Sequence, residues 1–187
     1  MSKENNRAKK TVNLSSRIDV ITHSVLTKDA ERKGISLNSL ISSIFKRYIA
    51  WERYSDEIGV IPLYKQTIRR IFDNIDEKTA KQIGADVGST IPRDLTALMF
   101  NKINFTNVIS MIEISSSRFG VVKHEIDGSK HIFTIYHGLC PRFSQYLTQL
   151  YASMGDDLSL KINATIVDKN LISFEIEEFD VNDSNGR

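Results

Sequence analysis

Between residues 37 and 49 the apolar side chains are Leu37, Leu40, Ile41, Ile44, Phe45, Tyr48 and Ile49. Steps of three and four place all seven on one face of a helix. No proline or glycine interrupts the run. Gly34 suits the left-handed position that ends a preceding helix. Ser36 suits an N-cap whose hydroxyl accepts from the amide of Asn38 or Ser39. A stripe this wide has to be buried, and the short stretch ahead of it cannot build a stable core alone.

That stretch sets the terms. In Val-Asn-Leu-Ser-Ser-Arg-Ile, residues 12–18, Val12, Leu14, Ser16 and Ile18 share one side of an extended segment. Asn13, Ser15 and Arg17 share the other. A helix over roughly 20–33 follows, with Ile21, Val25, Leu26 and Ala30 facing inward. A single strand leaves its edge unpaired. Both difficulties vanish if two chains pair their strands antiparallel and interlock their helices. The resulting ribbon fits a DNA major groove, where Arg reaches guanine O6/N7 and Asn reaches adenine N6/N7. The amides at the start of the second helix, near Leu37 and Asn38, would hold a backbone phosphate.

Strand, helix, Gly-x-Ser-x-Asn-Ser turn and amphipathic helix together resemble the ribbon-helix-helix (Arc/MetJ-type) family of DNA-binding repressors over roughly residues 10–52. The resemblance implies an obligate dimer. It also implies base contacts from Asn13, Ser15 and Arg17, and phosphate contacts from Ser36, Leu37 and Asn38. Ser16 departs from the pattern, because a larger apolar residue is usual at that inward position.

The net charge of +2 hides an asymmetry. Residues 1–54 hold 11 Lys/Arg against 5 Asp/Glu, and the remainder holds 14 against 18. A basic arm over residues 1–10, with Lys3, Arg7, Lys9 and Lys10, would neutralise phosphates and make binding salt-dependent. The single cysteine offers no internal disulfide and fits a reducing compartment. The absence of an 18-residue apolar run or a secretory h-region argues for a cytoplasmic, nucleoid-associated protein with no membrane contact.

After Trp51 the pattern changes. Glu52–Pro62 reads as a junction. Helices are expected over 63–75, 76–88, from Pro92 onward, and over 104–117. The period then becomes two: strands 119–126 and 130–137 flank Asp-Gly-Ser-Lys, a turn signal. With Asp127-Gly128 as the turn, Glu125 faces Lys130 and His124 faces His131. A helix over 141–154 starts at Pro141 and is closed by Gly155. Strands 158–167 and 171–179 turn at Asp-Lys-Asn. The expected fold class is α+β: an N-terminal, dimeric β-α-α (ribbon-helix-helix) DNA-binding domain over 11–54, then an assembly or sensor domain over 62–179 running from helices to ββαββ with a mostly antiparallel sheet. Residues 180–187 read as a tail.

Two imidazoles at opposed strand positions are half of a metal site. His124, His131, His137 and Cys140 are therefore the candidate ligands, although His137 lies too far along its strand to join the other two. A metal-responsive repressor of the nickel type is a loose likeness, because its His-x-His is absent. Cys140, just ahead of a helix, is placed for a lowered pKa. Half-buried, hydrogen-bonded histidines and a packed cysteine are the plainer expectation. No Gly-rich phosphate loop, CxxC, HExxH or GxSxG occurs. The expectation is a non-enzymatic, cofactor-free, sequence-specific transcriptional regulator. It would be a homodimer or higher homo-oligomer on double-stranded DNA, with a second domain for assembly or for sensing a small-molecule or metal effector. The alternative is a protein-interaction module, such as an antitoxin-like or plasmid-maintenance adaptor.

Overall fold

The computed structural model describes residues 12–178. It divides into two compact units, Met1–Tyr48 and Ile49–Arg187. In the first, helix α1 (Val20–Arg32) begins at Asp19, whose Oδ1 accepts from the Thr22 amide at 2.9 Å. The Thr22 hydroxyl, and then that amide, hold the Asp19 carboxyl below the ordinary carboxylate range. Gly34, at φ 66°, turns the chain after α1. Helix α2 (Leu37–Ala50) follows, and its last two residues lie past the division between the units.

The expected N-terminal β-α-α order is corrected here. Among the described residues, six α-helices precede the first strand, and all four strands lie after residue 120. Residues 12–19 form no strand and are exposed throughout. The physical reason is pairing. Alternation decides which side chains share a face, but a ladder needs a second strand to receive its N–H and C=O groups. One chain supplies none to this segment.

The second unit opens with a short 3₁₀ turn, Glu52–Tyr54, whose Tyr54 hydroxyl donates to the Met99 carbonyl at 3.0 Å. Helices α3 (Lys65–Asp73), α4 (Glu77–Gly88), α5 (Ile91–Phe100) and α6 (Phe105–Ser116) come next. Strands β1 (Val121–Asp127) and β2 (Lys130–Tyr136), helix α7 (Pro141–Leu158), and strands β3 (Leu160–Val167) and β4 (Leu171–Glu178) complete it. All pairings are antiparallel, in the order β1-β2-β4-β3.

Period-two patterning sorts the sheet into two faces. Phe133, Ile135, Ile172, Phe174 and Ile176 are buried together with Leu147, Tyr151 and Met154 of α7 and with Val108 and Ile112 of α6. The opposite face mixes polar side chains with Val121, Ile132, Tyr136 and Leu171. Thr134 and Ser173 share a hydroxyl contact at 3.1 Å, and Lys130 bonds Glu175 at 2.9 Å. This is one apolar face under helices and one solvated face, the usual arrangement for an antiparallel sheet.

Helix α4 lies along α7 because its contact side is made of small residues. Ala80, Gly84 and Gly88, four apart, are all buried. A Cβ on Gly84 would stand 2.3 Å from the Tyr146 carbonyl oxygen, and one on Gly88 2.2 Å from that of Leu150. The obstacle is backbone, which cannot swing aside. Gly88→Ala is therefore expected to cost about 1–3 kcal/mol by forcing the helices apart, although alanine is the better helix former. Urea unfolding checks this; an unchanged midpoint would show that the pair is not tightly seated.

Helix α7 also runs past its expected stop. Gly155 lies inside it, buried where a Cβ would come within 2.9 Å of the Leu160 carbonyl oxygen. The helix ends instead at Ser159, in the left-handed region at φ 54°. Gly155 thus serves packing rather than termination. No helix among the described residues is long and apolar enough to cross a membrane.

Candidate nucleic-acid interface

The first unit brings three features to one short piece of chain. Asn13, Ser15 and Arg17 are exposed in the irregular segment ahead of α1. Arg17 has no ion-pair partner among the described residues. A guanidinium is a planar fork of donors suited to a bidentate acceptor.

The second feature is the start of α2. Ser36 Oγ accepts from the Ser39 amide at 3.1 Å, and the Leu40 amide donates to the Ser36 carbonyl at 3.0 Å. The two hydroxyls of Ser36 and Ser39 also meet, at 2.8 Å. Of the first four amides of α2, those of Leu37 and Asn38 have no acceptor among the described residues. Unpaired amides at a helix N-terminus favour an anion. Of the two donors expected for the Ser36 cap, Asn38 and Ser39, the Ser39 amide is the one that binds it.

The third feature is the bare apolar surface. Among the described residues up to Tyr48 only Ala30 and Leu40 are buried. Val20 is 84% exposed, Ile21 77%, Val25 54%, Phe45 46% and Tyr48 54%. Each such side chain stabilises by about 1.5–3 kcal/mol when fully buried. Within the first unit most of that is unrealised.

Lys9 and Lys10, with Lys3 and Arg7, lie outside the described residues.

The candidate metal ligands separate into two places. In the hairpin the two-residue turn is Gly128-Ser129, not Asp127-Gly128, so Asp127 pairs with Lys130 and Glu125 with Ile132. His124 faces Phe133, and His131 faces Ile126. Gly128 takes φ 62° at the first turn position, where glycine is unstrained. The register differs from expectation by two residues, so the side chains keep their face. The two imidazoles meet diagonally: His124 Nε2 lies 2.9 Å from His131 Nδ1, with the rings stacked at 5.0 Å. Burial, and then the nearby His124, push the His131 pKa below its ordinary value. No group of three or more His, Cys, Asp or Glu side chains able to hold a metal is present among the described residues.

His137 is fully buried and does not join Cys140. Its Nδ1 accepts from the Leu139 amide at 3.1 Å, so its proton sits on Nε2, which donates to Ser144 Oγ at 2.9 Å. The Ser144 hydroxyl donates onward to the Asp168 carbonyl. Burial, and then the Lys65 ammonium, lower the His137 pKa to about 4. Cys140 is buried ahead of α7, and burial pushes its thiol up, the reverse of nucleophilic activation. No family model matches the chain, and no curated protein matches it.

Proposed function

We propose that the chain is a dimeric, sequence-specific DNA-binding regulator working on the nucleoid in the cytoplasm. The observation that carries this reading is the pairing of two features in the first unit. Asn13, Ser15 and Arg17 stand exposed ahead of α1, beside helices whose apolar faces are largely bare within the first unit. Two copies packed through α1 and α2 bury those faces and present two sets of Asn13, Ser15 and Arg17 to the major groove. The Leu37 and Asn38 amides and the Ser36 hydroxyl hold the phosphate backbone. Dimer symmetry makes the operator palindromic. The second unit serves assembly or sensing.

Selection of bound duplexes from a random pool tests the proposal, with a palindromic motif as the expected result. On that motif Arg17→Ala should weaken binding by about 1–3 kcal/mol and relax selectivity at one position of each half-site. Affinity should also fall about tenfold or more between about 50 and 200 mM salt. No enrichment, together with a co-purifying protein, would favour the second reading: a partner protein seated on the same bare helix faces.

A further inference from the structure

The second unit contains a cavity of about 310 Å³ between α7 and the helices α3 to α6. Leu147 and Met154, each 1% exposed, lie at its floor, and Ile91, 50% exposed, stands at its rim. Trp51 and Arg118 also line it, with the Arg118 guanidinium carbon 5.7 Å from the Trp51 ring centroid. Among the described residues the lining contains no carboxylate, and Arg118 is its only cation. Arg118 has no ion-pair partner among the described residues. Tyr146, also in the lining, has a hydroxyl without a hydrogen-bond partner among them.

We infer that this cavity binds a small amphipathic carboxylate, with an apolar tail against α7 and its head on Arg118. The volume lies at the lower end of the ligand-pocket range, and an apolar wall with very few polar groups is the usual composition. A cation held over an aromatic ring at the mouth of such a pocket is pre-positioned for a planar anionic head. The sign is fixed by the lone Arg118, and the apolar tail by the walls. Every lining residue belongs to the second unit, so the site stands whether or not the first unit binds DNA.

The test uses the full chain and its sole tryptophan, Trp51, as the reporter. Sodium decanoate and decanol are titrated below their aggregation limits, with calorimetry as a second readout. Decanoate is expected to give a saturable change in Trp51 emission. Arg118→Gln, a rim substitution that leaves the core intact, should weaken decanoate about tenfold or more while changing decanol less than about twofold. Three results would overturn the inference: no saturable response to either compound; equal decanoate affinity in the wild type and Arg118→Gln; or decanol binding more tightly than decanoate to the wild type.

Discussion

Phe45→Asp is expected to leave the proposed DNA-binding dimer as a monomer with little of the proposed DNA affinity. In one chain Phe45 is 46% exposed, so a carboxylate there meets water and leaves the isolated helix largely undisturbed. In a dimer packed through α1 and α2 the same carboxylate is taken out of water without a counter-charge, which costs several kcal/mol. Losing the second protomer also loses simultaneous engagement of two half-sites, worth roughly 10²–10⁴ in apparent affinity. Sedimentation velocity and a titration of operator DNA would report the two effects together. A variant that stays dimeric and binds DNA like the wild type would place the assembly surface elsewhere.

The second large effect is a loss of stability in acid. His137 accepts at Nδ1 and donates at Nε2, so a second proton on Nδ1 would set two N–H groups against each other. The folded state therefore keeps it neutral, with a pKa of about 4, whereas the unfolded chain protonates near 6.5. Between those values the unfolded state binds more protons, so stability falls as pH falls through the window and levels off below it. A gap of this size corresponds to about 3 kcal/mol. The His131 pKa is lowered as well, and it adds to the loss in the same direction. Urea midpoints from pH 7 to 4.5 should fall steadily for the wild type. His137→Gln, which can accept from Leu139 and donate to Ser144 without titrating, should flatten much of that slope. Equal slopes in the two proteins would assign the acid sensitivity to other groups.

What could be read from the sequence depended on whether the pattern was local. The spacing from Leu37 to Ile49 and the hydroxyl of Ser36 place α2 and its cap, because both are settled within a few turns of chain. The hairpin shows the limit. Asp-Gly and Gly-Ser are both good turn pairs, and the choice between them moved every cross-strand partner by two residues while leaving the histidines on one face. The segment 12–18 shows a stricter one: alternation says what faces where, but a strand also needs a neighbour that lies outside its own sequence. Ala80, Gly84 and Gly88 carried a readable signal, small residues at every fourth position, whose meaning depends on α7 lying against them. The cavity gave no local signal, since Trp51, Ile91, Arg118 and Met154 come together only in the folded unit.

The backbone contact between α4 and α7 has a bearing on what that cavity can hold. Tyr146 and Leu150, which line it, belong to the stretch of α7 whose carbonyls rest against Gly84 and Gly88. Residues pinned main chain to main chain cannot drift outward to make room. One side of the cavity is thus a fixed gauge, and lengthening a guest beyond it wins no further contact. Recognition would stop improving at a definite chain length, so that size as well as charge would sort the molecules this protein answers to.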